Sequence, residues 1–111
     1  MVGYKRWEIW LALVTYEEDV TQTKQRPVLV YNSGAFFVVG YYITSKDKRG
    51  APYPDYKITN WHSSGLMRES VIRIDRELRL LPSQMRIKLG VLHQHDIFLF
   101  SRAYIDYINK Q

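Results

Sequence analysis

Apolar runs separated by polar turns divide the chain into short predicted β-strands. Residues 8–14, 28–31 and 36–44 are almost wholly apolar and rich in β-branched and aromatic side chains, which predicts three strands. A shorter run at 55–59 predicts a fourth strand. The segment 70–81 begins with a clean alternation of apolar and charged residues, which predicts a strand with one buried face.

The predicted strand at 70–81 separates its side chains by type. One predicted face carries Ile72, Ile74 and Leu78. The opposite face carries Arg73, Asp75, Glu77 and Arg79. The alternation therefore predicts a regular strand with both signs of charge on its outer side.

Helical periodicity is strongest at the end of the chain. Residues 95–109 predict the one long helix, because apolar side chains recur three or four positions apart and form a single stripe. The stripe consists of Ile97, Phe100, Tyr104, Tyr107 and Ile108. Two shorter helical segments are predicted: one turn that follows Asn60 and ends at Gly65, and a short helix from Pro82 through Leu89.

These elements predict an α+β protein that is mainly β. The natural arrangement is a small, strongly curved antiparallel barrel with the last helix packed on it. Strands and helices do not alternate along the chain, which argues against a parallel doubly wound sheet. A length of 111 residues fits a single domain over residues 1–111.

Composition narrows the classes of function. Sixteen Lys and Arg residues against eleven Asp and Glu give a net charge of +5, which favours polyanions such as nucleic acid as partners. The absence of cysteine excludes disulfide scaffolds, thiolate zinc sites and cysteine nucleophiles. No targeting pattern is present, and the longest apolar run, 35–43, is far shorter than the roughly 20 residues of a membrane span. We therefore expect a cytoplasmic protein that does not associate with membranes.

Arg73 and Asp75 form the most informative pair of charged residues. Two positions apart on a strand, their side chains leave the same face about 6.6 Å apart. Asp75 would take the proton from a ribose 2′-hydroxyl, and Arg73 would hold the phosphate and stabilise the charge that builds on its oxygens. This chemistry needs RNA, because DNA lacks that hydroxyl, and it needs no metal or other cofactor. The alternative is an exposed ion pair on a solvated strand face.

Two long polar segments, 16–25 and 45–54, are predicted loops. Arg26, Thr44 and Ser45 lie where strands meet these loops, a position from which side chains often reach ligands. Arg26 would supply a second phosphate contact and Thr44 a hydroxyl donor. The alternative is a surface arginine and a strand-terminal threonine without a ligand.

The second loop carries a short basic run that consists of Lys46, Lys48 and Arg49. Several tyrosines lie nearby in sequence, and basic groups mixed with aromatic rings suit single-stranded RNA. A solvated loop beside core aromatics would show the same composition.

The sequence His93-Gln94-His95-Asp96 admits two interpretations. Histidine and aspartate are metal ligands, but the i,i+4 histidine pair of helical zinc motifs is missing. The same residues fit the polar first turn of the last helix, with Asp96 near its positive N-terminus. We therefore predict no metal site.

Short motifs in a fixed order resemble those of the MazF/PemK (Kid) toxins. Residues 5–12, KRWEIWLA, resemble the K-R-G-E-I-W-L-A opening of that family, and residues 26–30, RPVLV, resemble its second strand. Residues 43–45, ITS, resemble its I-T-S element. Gly65-Leu66, residues 70–75 and residues 88–92 follow in the family's order. The resemblance covers nearly the whole chain.

The resemblance implies a toxin of a toxin–antitoxin module, folded as an SH3-like β-barrel of the PemK/CcdB type with a C-terminal helix. It implies a homodimer that a cognate antitoxin blocks. It also implies a metal-independent endoribonuclease that cuts single-stranded RNA and leaves 2′,3′-cyclic phosphate and 5′-hydroxyl ends. The family's catalytic pattern falls on Arg26, Thr44, Arg73 and Asp75. The expected substrate-binding residues are Gln22, Ser45, Lys46, Lys48 and Arg49.

Some positions depart from the family's pattern. The first loop differs at Val20, Thr21 and Lys24, Trp7 replaces the glycine of R-G-E, and Leu78 stands where a D-x-x-R pattern has arginine. Two other functions therefore stay open. The barrel would bind a protein target, as the related CcdB toxins poison gyrase, or would bind RNA without cutting it. Alternatively, the chain is a structural domain that kept the fold and lost the site.

Overall fold

The computed structural model describes residues 3–15, 23–45 and 53–111. Within these ranges each predicted strand is present, and β2 begins inside the segment predicted as the first loop. The strands are β1 Glu8–Thr15, β2 Thr23–Ser33, β3 Val38–Thr44, β4 Asp55–Lys57, β5 Val71–Leu80 and β6 Met85–Val91. A 3-10 turn, Pro82–Gln84, precedes β6, and the helix α1 spans Gln94–Asn109.

The strands form one antiparallel sheet in the order β4-β5-β3-β2-β1-β6. Over the described part of the chain β4 and β6 do not pair with each other, so the sheet is open at these two edges. The predicted class, mainly β with one C-terminal helix, is confirmed. No helix within the described ranges is long and apolar enough to cross a membrane.

Side chains on both faces of the sheet are buried, in two separate clusters. The helix-side cluster lies under α1 and consists of Ile9, Leu29, Tyr41, Ile43, Ile58, Leu66, Ile72, Ile74, Leu92 and Phe100. The opposite-face cluster consists of Ala12, Val14, Val28, Val30, Val38, Leu80 and Met85. The alternation of side chains along a strand explains the division, since Leu29 and its neighbours Val28 and Val30 point to opposite faces.

Helix α1 buries its predicted stripe with one exception. Phe100 is fully buried, and Ile97, Tyr104 and Tyr107 pack beside it on the helix-side cluster. Ile108 is 47% exposed. It lies eight residues from Phe100, which is about 80° around the helix axis at 3.6 residues per turn, so it points away from the sheet.

The predicted helix from Pro82 through Leu89 is wrong. Only Pro82–Gln84 form a helical turn, and the following residues form β6, which pairs with β1. The residues of β6 alternate between apolar and basic, a period of two that indicates a strand. The side-chain amide of Gln84 donates a hydrogen bond to the Leu13 carbonyl at 3.0 Å and fixes the start of β6 against β1.

The buried carboxylate of Asp96 joins α1 to the chain that follows β4. Its Oδ1 accepts hydrogen bonds from the Tyr56 hydroxyl at 2.5 Å and the Thr59 N–H at 2.8 Å, and its Oδ2 accepts one from the Asn60 N–H at 2.8 Å. Burial acts to raise the pKa of Asp96, but these hydrogen bonds outweigh it, and the pKa lies below its ordinary value. Burial and the nearby carboxylate both raise the pKa of Tyr56.

Replacing Asp96 with Ala should lower the free energy of unfolding by about 2–4 kcal/mol, because three donors lose their acceptor and two of them are backbone groups. Urea denaturation measures this loss. Asp106→Ala, on the exposed side of the same helix, is the matched control and should change stability by less than about 0.5 kcal/mol. Equal losses in the two variants would show that the Asp96 contacts do not stabilise the fold.

The contribution of Asp96 should also depend on pH. A carboxyl group whose pKa is lower in the folded state stabilises the fold fully above its ordinary pKa, here 3.8, and loses that effect as the pH falls through the folded pKa. Wild-type protein should therefore lose more stability than Asp96→Ala between about pH 5 and pH 2. Parallel stability curves over this range would contradict the lowered pKa.

Candidate nucleic-acid interface

A large bulge in β5 shapes one end of the sheet. Tyr41 and Ile43 of β3 pair with Glu77 and Ile72 of β5. Only Tyr42 lies between the two pairs along β3, whereas the four residues 73–76 lie between them along β5. On the side of β3, residues 73–76 therefore have only Tyr42 opposite them, whereas on the other side Arg73 pairs with Asp55 of β4. Bulges bend a strand and redirect its side chains, and they are common beside functional sites.

The bulge reverses which side chains share a face of the sheet. Ile72 and Ile74 belong to the helix-side cluster, whereas Leu80 belongs to the opposite-face cluster and Leu78 packs against it. In a regular strand these four residues would lie on one face. The predicted shared face of Ile72, Ile74 and Leu78 is therefore wrong, because an odd number of extra residues in β5 shifts the alternation by one.

A cleft of about 830 Å³ opens where the bulge meets the ends of β2 and β3. One wall comes from residues 65–70, which precede β5. The polar side chains that line the cleft are Thr15, Arg26, Thr44, Ser45, Arg68, Ser70, Arg73 and Arg76. We call this site the arginine cleft.

Among the described residues, every charged side chain that lines the arginine cleft is an arginine. The planar guanidinium group presents donors that match phosphate oxygens. Apolar surface from Tyr42, Leu78 and the highly exposed Met67 lies in the same cleft. Cationic groups beside an aromatic ring can bind both the backbone and the bases of a single nucleic-acid strand.

The structure brings together four of the residues predicted from sequence. Arg26, Thr44, Ser45 and Arg73 all line the arginine cleft. Asp75 lies half-buried in the bulge and is not among the lining residues. The other predicted positions, Gln22, Lys46, Lys48 and Arg49, lie outside the described residues.

Sequence reasoning missed Arg68 and Arg76. Regular alternation places Arg76 on the face opposite Arg73, and only the bulge brings both side chains to one cleft. One signal was available: an alternating strand calls for an apolar residue at position 76, and the sequence has arginine there. Arg68 had no such signal, because its position depends on contacts with residues distant in sequence.

Two glycines hold the wall of the arginine cleft against β6. Gly65 has a φ of +91°, and a Cβ on Gly65 would overlap the Leu89 carbonyl oxygen, while one on Gly90 would overlap the Ser64 carbonyl oxygen. The Ser64 hydroxyl donates to the Asn60 carbonyl at 3.0 Å and accepts from the His93 N–H at 3.1 Å. The turn after β4 is thus fixed to the junction of β6 and α1. A turn ends at Gly65 as predicted, but residues 61–65 form hydrogen-bonded turns and not a helix.

The segment from His93 to Asp96 forms the polar first turn of α1. His93 Nδ1 accepts a hydrogen bond from the His95 N–H at 3.1 Å and caps the helix, and Asp96 accepts its hydrogen bonds from other protein groups. Within the described ranges no three histidine, aspartate or glutamate side chains lie together as a set of metal ligands.

Residues 5–103 match the model of a protein family described as the PemK-like, MazF-like toxin of type II toxin–antitoxin systems. The chain belongs to this family. The match spans all six strands of the described structure and most of α1, so the resemblance seen in the short motifs is confirmed. Among curated proteins, none matches the chain significantly.

Solved structures with the PemK/MazF-like fold include three mycobacterial proteins. An endoribonuclease in complex with its cognate antitoxin, from a mycobacterial species, has a TM-score of 0.74 and 15% identity, with 96% of each chain covered. Another mycobacterial endoribonuclease has a TM-score of 0.71 and 16% identity, over 98% of this chain and 94% of the other. The Mycobacterium tuberculosis toxin MazF-mt6 has a TM-score of 0.68 and 18% identity, over 92% and 96%. At these identities the likeness shows a shared fold.

Trp7, which replaces the glycine of the family's R-G-E motif, takes a backbone conformation that favours glycine. Its φ is 78°. Its ring packs edge-on against Tyr31 and Phe100, with centroids 5.8 and 5.9 Å away. Its N–H donates to the Val30 carbonyl and its carbonyl accepts from the Leu92 N–H, both at 2.8 Å. The packing of the indole and these hydrogen bonds offset the backbone strain of about 1–3 kcal/mol.

Gly65→Ala should lower the free energy of unfolding by more than about 2 kcal/mol, because alanine is strained at positive φ and its Cβ meets the Leu89 carbonyl oxygen. Gly34→Ala is the matched control. The nearest atom to its Cβ would be the Phe37 carbonyl oxygen at 3.9 Å, so a change below about 0.5 kcal/mol is expected. Urea denaturation compares the two, and wild-type stability in Gly65→Ala would contradict the close backbone contact.

Proposed function

We propose that this toxin is an endoribonuclease that cuts single-stranded RNA without a metal ion. The observation that carries the proposal is the arginine cleft, where Arg26, Thr44 and Arg73 from three strands line one cavity. Membership of the PemK/MazF-like family and the likeness to mycobacterial endoribonucleases support the same class of activity. The net charge of +5 favours the approach of RNA.

The proposed reaction is an intramolecular phosphoryl transfer. The 2′-oxygen attacks the adjacent phosphorus and gives a 2′,3′-cyclic phosphate, while Asp75 takes the 2′-hydroxyl proton. The 5′-oxygen leaves with the electron pair of the broken P–O bond and takes a proton from water. Arg73 and Arg26 hold the phosphate oxygens through charge-assisted hydrogen bonds, and Thr44 adds a hydroxyl donor.

Asp75 is assigned as the base from its position in β5. It belongs to the same bulge as Arg73, and the bulge faces Tyr42, which lines the cleft. Arginine is a poor proton donor near neutral pH, so the proposal assigns Arg73 and Arg26 to charge stabilisation rather than to proton transfer. The proposal therefore gives the carboxylate and the guanidinium groups separate tasks.

RNA binding without cleavage is a second candidate function. One observation favours it: the charged lining of the cleft consists of arginines over the described residues, and Asp75 is not part of that lining. A cleft with cations and no base would bind the phosphate and leave the strand intact.

The proposal extends to the partners of the toxin. Ser45 of the cleft, together with Gln22, Lys46, Lys48 and Arg49, would contact the RNA strand on either side of the cut. The toxin would act on cytoplasmic mRNA as a homodimer, and a cognate antitoxin would cover the cleft. One similar structure is an endoribonuclease in complex with its cognate antitoxin, which supports this last point.

Purified protein should cut a long single-stranded RNA in the presence of EDTA, and the new ends should carry a 5′-hydroxyl group. Arg73→Gln and Asp75→Asn should each lower the cleavage rate at least about 100-fold, since each removes a group that acts in the transition state. Primer extension maps the cuts, and single-turnover kinetics gives the rates.

Arg79→Gln is the matched control for cleavage, because Arg79 lies on β5, is exposed and is not among the lining residues of the cleft. This variant should cut at the wild-type rate. Loss of cleavage only when EDTA is present would disprove the metal-independent reaction. RNA that binds tightly and stays intact would establish the second candidate instead.

The homodimer should appear as a particle of twice the chain mass of 13.2 kDa in sedimentation equilibrium at micromolar concentration. A single species at the chain mass under these conditions would show that the isolated toxin is a monomer.

A further inference from the structure

We propose that the arginine cleft holds two consecutive phosphates of the RNA strand. Arg73 and Arg26 would hold the phosphate that is cut, and Arg76 with Arg68 would hold a neighbouring one. The inference rests on the proposed function, since it takes the ligand to be RNA. It goes further by assigning a phosphate-binding role to Arg76 and Arg68, two residues that the proposed reaction does not use.

The bulge in β5 provides the geometric basis. Residues three apart on a regular strand point to opposite faces, yet Arg73 and Arg76 line the same cleft. Their positions are separated by at most about 10 Å along the strand, which is three times the rise per residue. The bulge thus places the two guanidinium groups at successive points of one wall.

The positive charge of the arginine cleft favours the binding of more than one phosphate. Four arginines line a volume of about 830 Å³. One phosphodiester carries a single negative charge, whereas consecutive phosphates of a strand match several cations. The volume lies in the upper part of the range of about 300–1,000 Å³ for ligand sites, which accommodates more than one nucleotide unit.

Arg73 and Arg76 also interact with other groups of the protein. A guanidinium group has five N–H donors, so one side chain can hold an internal partner and a phosphate oxygen together. Internal contacts order the side chain before RNA arrives and reduce the entropy lost on binding.

Tyr42 completes the site. It lies on β3 opposite residues 73–76, and it lines the cleft. Its ring offers a surface for the base of the nucleotide that connects the two phosphates.

The test measures binding to strands that cannot be cut, because every ribose carries a 2′-O-methyl group. For a long strand of this kind, the logarithm of the association constant falls linearly with the logarithm of the salt concentration. The magnitude of this slope should be smaller by about 0.7 in Arg76→Gln than in the wild type, because one phosphate contact is lost. Arg79→Gln removes the same charge from an exposed position of β5 and should keep the wild-type slope. Arg76→Lys retains the charge and should keep most of the slope, which separates loss of a phosphate contact from misfolding.

A comparison of short strands locates the contact. Wild-type protein should bind a trinucleotide, which has two phosphodiesters, roughly tenfold more tightly than a dinucleotide, which has one. Arg76→Gln should bind the two with similar affinity, because the contact to the second phosphate is lost. NMR titration measures these weak affinities.

The two possible failures can be told apart. If wild-type protein binds none of these strands, the proposed function fails and the inference fails with it. If the wild type prefers the trinucleotide and Arg76→Gln keeps both that preference and the wild-type salt slope, RNA binding stands and the second phosphate position at Arg76 is overturned.

Discussion

The hydrogen bonds to the carboxylate of Asp96 are the interaction on which the arginine cleft depends. A buried charge is costly unless donors surround it, and two of the donors here are backbone N–H groups of the chain after β4. Burying Asp96 therefore requires that this chain lie against the N-terminus of α1. From there the turn leads directly to Gly65, which packs on β6 and begins the cleft wall. A carboxylate in the helix thus determines where this wall of the arginine cleft lies.

The bulge in β5 imposes a second constraint, and it works against stability. It interrupts the pairing of β5 with β3 opposite Tyr42, and it directs Arg73 and Arg76 into the same cleft. The apolar core offsets this cost, since residues on both sides of the bulge still reach a buried cluster: Ile72 before it on the helix side and Leu80 after it on the opposite face. The bulge therefore changes the direction of the charged side chains and leaves the strand anchored at both ends.

How far the sequence predicts the structure differs between elements for physical reasons. Strands such as β1 and β3 were predictable because burial on both faces demands unbroken apolar runs. The strand β6 was mistaken for a helix because Pro82 and Ser83 indicate a helix start, a local signal that the pairing with β1 overrides after one turn. In the site, Thr44 was predictable because it ends β3 beside a loop. Arg26 was predicted on the same ground, but it lies three residues inside β2, which begins at Thr23. Arg76 was missed because the break in the alternation at position 76 was its only signal, and the bulge itself arises from pairing with residues distant in sequence.

Binding and cleavage place different demands on this site. Binding of RNA needs positive charge at the spacing of the phosphates. In the proposed site several arginines supply that charge, so the loss of one would weaken phosphate binding without abolishing it. Cleavage also needs a group that accepts a proton near neutral pH, and arginine cannot do so. In the proposed reaction that task falls on Asp75 alone. Under the proposed reaction, a ribonuclease and a protein that only binds RNA would thus differ, on this fold, by the chemistry of one side chain in the bulge of β5.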